Sequence, residues 1–191
     1  MKQSSISASQ PTLTLEQFLK LPDTKPASEF RDGVVIQKPM PRGKHSLLQK
    51  KWTEELDRRS VPLQAGMAFP ELRCVFAGRA IVPDVAYLTW GRIPRDAAGE
   101  IADENPGAPD LVIEILSPEQ TLHVLTDKIT FCVENGCSLG LLMDPVTKRA
   151  LLARRGHALV TLTRGLLDLT SVLPGAIFTV EEVFGWLAVP R

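Results

Sequence analysis

The feature that most constrains the fold is a run of branched apolar residues with a carboxylate in its middle. Residues 109–118, PDLVIEILSP, predict a buried strand, because such runs are typical of strands covered on both faces. Glu114 lies near the centre of this run. Burying an unpaired carboxylate is costly, so Glu114 requires a cation, a metal ion or a hydrogen-bonded partner.

A second apolar segment carries a carboxylate in the same way. Residues 80–88, AIVPDVAYL, predict another strand with Asp84 inside it. Adjacent strands are only about 5 Å apart, so Asp84 and Glu114 can lie side by side. Asp110 lies about 13 Å from Glu114 along its own strand, too far for one metal ion to bridge. We expect Asp110 to cap the start of that strand, with a supporting role at the site as the alternative.

Two carboxylates on neighbouring strands predict a divalent-metal site. Oxygen ligands favour Mg²⁺ or Mn²⁺, with water in the remaining positions. The peptide carbonyl of Ile115 is a candidate for a further ligand. The alternative for Asp84 is a strand-end carboxylate that accepts hydrogen bonds from neighbouring amides. Glu114 is harder to explain in structural terms because its strand neighbours are all apolar.

The composition is that of an ordinary globular domain. The 191 residues are 44% hydrophobic and 23% charged, enough for one domain with a real core. Lys+Arg and Asp+Glu number 22 each, so no global basic charge indicates a nucleic-acid partner, although a local basic face can coexist with this balance. No apolar run reaches the length of a membrane span and the start MKQSSISASQ is polar, so we expect neither a membrane span nor a signal peptide. Three cysteines without zinc-ligand spacing predict reduced thiols, so we expect a cytoplasmic protein.

The order of elements predicts an α/β domain. We expect a disordered Ser-rich tail over residues 1–10 and a single domain over residues 11–191. The predicted elements are a helix capped by Thr12 or Thr14, a hairpin turning at Asp32-Gly33, a helix over 44–59, strands over 70–77, 80–89 and 110–116, a loop over 90–108, a helix over 121–134, strands over 139–143, 150–153 and 160–162, and a helix over 180–187. This order indicates a mixed central β-sheet flanked by helices.

The motifs resemble those of the PD-(D/E)xK nuclease superfamily. Pro83-Asp84 on one strand and Glu114 on the next match its signature, but Leu116 stands where the lysine of the triplet is expected. The string PDLVIEILSP, followed by Asp127-Lys128 and Asp144-Pro145, is similar to the Uma-type branch of putative restriction-endonuclease-like proteins. The resemblance extends over residues 12–185 and implies a restriction-endonuclease-like core.

The resemblance also implies a site and an activity. Asp84 and Glu114 would hold Mg²⁺ or Mn²⁺, and Lys128 would replace the missing lysine, orienting the attacking water and stabilising charge on the phosphate. Glu29 would be a supporting carboxylate, for instance for a second metal, and His45 matches a typical histidine of unassigned role. The hypothesis is therefore a Mg²⁺-dependent endonuclease that hydrolyses DNA, with a homodimer as one arrangement for cutting both strands.

Two departures from the branch keep other functions open. Residues 119–123 are nearly uncharged where an acidic residue and several arginines are usual, and the aromatic-rich strand is reduced to residues 141–143, LLM. One alternative is a catalytically inactive relative that binds DNA or protein. The other is a structural homo-oligomer in which Glu114 and Lys128 form a buried ion pair.

Overall fold

The computed structural model describes residues 13–104 and 107–189. In chain order, the elements of these residues are α1 (Leu15–Leu19), β1 (Ser28–Arg31), β2 (Val34–Gln37), α2 (Gly43–Ser60), β3 (Gly66–Pro70), β4 (Cys74–Phe76), β5 (Arg79–Ile81), β6 (Val85–Thr89), β7 (Leu111–Ile115), α3 (Leu122–Glu134), β8 (Leu139–Asp144), β9 (Arg149–Arg154), β10 (Val160–Leu162), β11 (Leu166–Asp168), β12 (Ile177–Thr179) and α4 (Val180–Gly185). The predicted tail over residues 1–10 and Thr12 lie outside the described residues; Thr14 caps α1.

A six-stranded mixed sheet forms the centre of the fold. Its strands lie in the order β10-β9-β8-β7-β6-β3. The neighbouring pair β7 and β8 is parallel, and the other neighbouring pairs are antiparallel. The parallel pair requires a crossover, and α3 provides it. The predicted mixed sheet with flanking helices is therefore confirmed.

The two longer helices cover opposite faces of this sheet. On one face, Trp52 and Leu56 of α2 belong to the same buried cluster as Ile113 of β7. On the other face, Ile129 of α3 belongs to the cluster that contains Val112. Because side chains alternate along a strand, Glu114 shares the face of Val112 and points toward α3. The alternation thus places the carboxylate beneath the helix that carries the candidate lysine.

A junction between two sheets corrects the predicted strand over residues 80–89. That strand is wrong as a single element: β5 belongs to a four-stranded sheet in the order β2-β1-β5-β4, whereas β6 belongs to the central sheet. Pro83 lies in the break and has no N–H for a strand ladder. Asp84 is therefore positioned just before β6 and not inside a strand.

Among the other local predictions, the hairpin turn and two helices are confirmed, whereas the limits of one strand are wrong. The Asp32-Gly33 hairpin is confirmed, with φ of 53° and 84° at the two turn residues, which suits a tight hairpin turn. The predicted helices over 44–59 and 121–134 are confirmed as α2 and α3. The predicted strand over 70–77 is wrong, because β3 ends at Pro70 and β4 begins at Cys74. The β11–β12 pair was not predicted.

All three cysteines are buried, with Cys74 and Cys132 fully so. None of the helices formed by residues 13–104 and 107–189 combines the length and the apolar character needed to cross a membrane.

Candidate functional site

The backbone of Val82, in the junction between the two sheets, is the meeting point of the site. Its N–H donates a hydrogen bond of 2.7 Å to Oε1 of Glu29 in β1. Its carbonyl accepts one from Nζ of Lys38 at 2.9 Å and one from Nζ of Lys128 at 3.2 Å. One peptide segment thus brings together side chains from β1, from the segment after β2 and from α3.

Lys128 lies at the centre of a buried ion-pair cluster. Its Nζ is 2.6 Å from Oε1 of Glu29 and 2.7 Å from Oε1 of Glu114. The ammonium also donates a hydrogen bond to the carbonyl of Val82, so Lys128 has two carboxylate ion-pair partners and one hydrogen-bond acceptor. The lysine side chain is 6% exposed. The structure therefore brings Glu29, Glu114 and Lys128 together, as the resemblance implied.

Asp84 is held by a separate set of groups. Nζ of Lys38 lies 2.7 Å from its Oδ1. Its Oδ2 accepts hydrogen bonds from the N–H of Ile115 at 2.7 Å and from Nε2 of His45 at 3.0 Å, since an ionised carboxylate only accepts. Gln49 donates to the main-chain carbonyl of Asp84 at 2.9 Å. Both carboxylate oxygens of Asp84 therefore have partners from this chain.

The pKa values of the two candidate ligands are shifted in opposite directions. Burial opposes ionisation of Asp84, but the hydrogen bond from His45 and the positive charge of Lys38 hold its pKa well below the usual range. Burial raises the pKa of Glu114 to about 8, against the opposing charge of Lys128. Burial alone would lower the pKa of Lys128, yet the negative charges of Glu114 and Glu29 raise it above its ordinary value. Divergent carboxylate pKa values are typical of functional sites.

The sequence reasoning missed Lys38 entirely and gave His45 no role. Lys38 follows an exposed strand, and nothing in its local pattern marks it. Its one signal is topological: β2 pairs with β1, which carries Glu29, so the hairpin delivers a lysine near a carboxylate. His45 was singled out through the resemblance alone, and the structure places its buried ring against Asp84.

Asp110 lies outside this cluster. Its Oδ2 accepts hydrogen bonds from the N–H and the hydroxyl of Thr89, at 2.8 and 2.9 Å, and its Oδ1 is 3.2 Å from Nε of Arg92. These contacts anchor the start of β7 to the end of β6, which agrees with the expected capping role. Ile115 contacts Asp84 through its N–H, and the use of its carbonyl as a metal ligand stays a prediction.

A cavity of about 400 Å³ opens beside the ion-pair cluster. Glu29, Lys38 and Lys128 line it, together with Arg31 and residues of the segment that leads into α3. That segment contains Glu119 and is the nearly uncharged stretch noted in the sequence. The two lysines and one carboxylate of the cluster can therefore meet a small polar or anionic group that enters this cavity.

The residues present fit a hard divalent cation. Within the described residues, no group of three or more His, Cys, Asp or Glu side chains is arranged to hold a metal ion. Mg²⁺, however, is commonly bound by one or two carboxylates with water completing its shell. Oε1 of Glu114 supports the fit: it is buried and lies 2.7 Å from Nζ of Lys128, yet it receives no well-directed hydrogen bond. Asp84 supplies a second hard oxygen donor.

The mixed sheet, its flanking helices and the buried carboxylate–lysine cluster define a protein of the restriction-endonuclease-like class. The chain belongs to the Uma2 family, described as "Putative restriction endonuclease", whose model matches residues 15–181. The predicted family and fold are thereby confirmed. No curated protein matches the chain.

Two solved structures are similar to the chain to very different degrees. A putative nuclease belonging to DUF820 from Anabaena variabilis ATCC 29413 is 38% identical, with a TM-score of 0.89, and the match covers 92% of this chain and 99% of that one. A DrdV–DNA complex is 14% identical, with a TM-score of 0.32, over 75% of this chain and 14% of that one. The first match supports the nuclease class.

Proposed function

We propose that this protein is a metal-dependent endonuclease that hydrolyses phosphodiester bonds of DNA. The observation that carries the proposal is the Lys128 ammonium, held between Glu29 and Glu114 at the wall of an open cavity. A buried lysine beside carboxylates has the chemistry to bind an anionic phosphate next to a cation. Membership of a family described as restriction endonucleases supports a nuclease, and DNA is the substrate on which restriction endonucleases act.

Asp84 and Glu114 would hold Mg²⁺ or Mn²⁺, with the carbonyl of Ile115 as a further ligand. A bound cation of this type supplies Lewis-acid stabilisation of negative charge on the phosphate. Asp84 suits this role because its lowered pKa keeps it ionised at neutral pH. Glu114 suits it because its position on β7 is fixed by the central sheet, next to the residue that donates to Asp84.

Lys128 would act on the reacting phosphate as a catalytic residue. Its raised pKa keeps the ammonium charged, so Lys128 can orient a water for in-line attack and stabilise charge that develops on the phosphate oxygens. Glu29 would be a positioning residue, because it holds both Nζ of Lys128 and the N–H of Val82. This use of Glu29 differs from the second-metal role implied by the resemblance, since its Oε1 already has two partners.

A cleavage assay tests the proposal. Supercoiled plasmid and single-stranded DNA are incubated with the protein and Mg²⁺ or Mn²⁺, with a chelator control. The wild type is expected to nick or linearise the plasmid only with metal, and Glu114→Ala is expected to leave it intact. Absence of cleavage by wild type under all these conditions contradicts the proposal.

Light scattering on the same samples shows whether the active form is a homodimer.

A second candidate is a nuclease-fold module that binds DNA or protein without cutting. The favouring observation is that the ammonium groups of Lys38 and Lys128 already lie beside the carboxyl groups without any metal. Calorimetric titration with Mn²⁺ separates the two candidates, because a nuclease site must bind the cation whereas a purely structural ion-pair cluster has no need of it.

A further inference from the structure

The two lysines of the site differ in the number of carboxylates that lie close to their ammonium groups. Lys128 projects from α3, forms ion pairs with two carboxylates at 2.6 and 2.7 Å and donates a hydrogen bond to the carbonyl of Val82. Lys38 has two close acceptors, Oδ1 of Asp84 at 2.7 Å and the carbonyl of Val82 at 2.9 Å. Its third neighbour, Glu71, lies at 3.7 Å and is 45% exposed, so that ion pair is weak.

Lys38 has an anchored backbone and a side chain that reaches the wall of the cavity. Its main-chain N–H donates to Ala27 at 3.0 Å, and Pro39 then begins a segment without helix or strand that leads to α2. A lysine carries its ammonium on a flexible four-carbon stem, so the head group can move while the backbone stays in place. Lys38 already lines the cavity of about 400 Å³, which gives the ammonium a polar space to enter.

The two carboxylate oxygens of Asp84 have different kinds of partner. Its Oδ2 is fixed by Ile115 and His45, one of them a main-chain donor of the central sheet. Its Oδ1 is held by Lys38. Because Oδ2 already accepts two hydrogen bonds, a divalent cation that leaves them in place binds at Oδ1, where the nearby Lys38 ammonium repels it.

We propose that Lys38 is the exchangeable cation of this site. Its ammonium neutralises Asp84 in the metal-free protein, gives way at Oδ1 when a divalent cation binds, and moves into the cavity, where it adds positive charge for a substrate phosphate. Lys128 stays in place throughout because two carboxylates hold its charge. This inference rests on the metal site of the proposed function, but not on DNA being its substrate.

Calorimetric titration of the full chain with MnCl₂ tests the exchange without DNA. Lys38→Met removes the competing ammonium, so Mn²⁺ should bind it at least about tenfold more tightly than wild type. The matched control is Lys44→Met, which removes an exposed lysine outside the cluster and should leave the affinity unchanged. Equal or weaker binding by Lys38→Met, or no binding by either protein, overturns the inference.

Lysine acetylation read by mass spectrometry tests the same exchange in the unaltered protein. With acetic anhydride as the probe, Lys38 should become several-fold more reactive on addition of saturating Mn²⁺, whereas Lys128 should stay protected. Unchanged reactivity of Lys38 with Mn²⁺ bound overturns the inference even if Lys38→Met does not fold.

Plasmid cleavage, scored separately, distinguishes this inference from the proposed function. A protein that shows the Mn²⁺ effects of Lys38 but leaves DNA intact supports the exchange and contradicts the nuclease. A protein that cleaves DNA, but whose Mn²⁺ affinity is the same in Lys38→Met, keeps the nuclease and overturns the exchange.

Discussion

The N–H of Ile115 donates a 2.7 Å hydrogen bond to Oδ2 of Asp84. This bond joins the residue after Glu114 to the carboxylate at the start of the neighbouring strand. Val85 pairs with Ile113 in the same ladder, so the central sheet fixes the two carboxylates relative to each other. The pairing of β6 with β7 therefore positions the two carboxylates, and the Asp84 side chain adds a bond of its own to the main chain of β7.

Replacement of either candidate metal ligand should remove cleavage. Asp84→Ala and Glu114→Ala are each expected to lower metal-dependent plasmid nicking by about a thousandfold or more. Each variant removes a ligand of the cation, and without the bound cation the phosphate loses its Lewis-acid stabilisation. Initial nicking rates measure the effect, and circular dichroism verifies the fold. Full activity in both variants contradicts the assignment of the site.

The matched control for these variants is Asp110→Asn. Asp110 is a carboxylate next to the same strand, but its partners are Thr89 and Arg92 and not the cluster. We expect this variant to keep its cleavage rate and to lose about 1–2 kcal/mol of stability, since Asn keeps one oxygen acceptor and the lost ion pair is with a half-exposed Arg92. A loss of cleavage as large as that of Asp84→Ala would show that the assay reports general damage.

The raised pKa of Glu114 predicts how stability depends on pH. The pKa of about 8 in the folded protein lies above the ordinary value of 4.5, so the folded state binds a proton more tightly than the unfolded chain does. The contribution of Glu114 to stability is therefore complete below pH 4.5 and is lost as the pH rises toward 8. In metal-free buffer, Glu114→Gln should gain stability relative to wild type across this range and level off above it.

Urea denaturation at several pH values measures this difference. The two proteins should have similar midpoints near pH 4, apart from a constant offset, and should diverge toward pH 8. Lys128 stays charged throughout, so it adds no second transition in this range. A difference that does not vary with pH contradicts the shifted pKa of Glu114.

Asp84 should behave in the opposite way. Its pKa lies below the ordinary value of 3.8, so it contributes stability that is present above pH 3.8 and is lost as the pH falls below it. Asp84→Asn leaves the buried Lys38 without a charged partner at Oδ1, and we expect a loss of about 3 kcal/mol at pH 7. Thermal unfolding without metal measures it, and a variant as stable as wild type at pH 7 would contradict the pairing.

The sequence pattern predicted individual helices and strands better than it predicted which strands pair with each other. Alternation along β7 placed Glu114 opposite to Ile113, and the apolar stripe of α3 predicted the helix that covers Glu114. The strand over residues 80–89 failed because its apolar pattern continues across Pro83, whereas the change of sheet depends on which strands pair in space. Strand pairing is a tertiary property, and one sequence carries little information about it.

The candidate site shows the same division. Glu114 was visible as a charge in an apolar run, and Lys128 was identified through the resemblance. Lys38 and His45 lie 46 and 39 residues from Asp84 in sequence, and no periodicity connects residues so far apart. Packing of the β1–β2 hairpin and of α2 against the junction brings them to Asp84. The sequence therefore predicted the acidic half of the site better than the basic half.

Lys128 is predicted to serve both the fold and the reaction, and two variants separate these roles. Lys128→Met leaves Glu29 and Glu114 buried without their cation, which should cost about 3–5 kcal/mol. Lys128→Arg keeps the charge, so it should recover part of this stability. Its planar guanidinium cannot meet the two carboxylates and the carbonyl of Val82 as an ammonium does, so cleavage should still be lost. Urea denaturation and plasmid nicking are measured on both variants and on Glu29→Gln. Glu29→Gln should lower activity less than either Lys128 variant, because it displaces Lys128 without removing it. If Lys128→Arg restores stability and cleavage together, the lysine acts only as a buried counter-ion, and the catalytic role assigned to it is wrong.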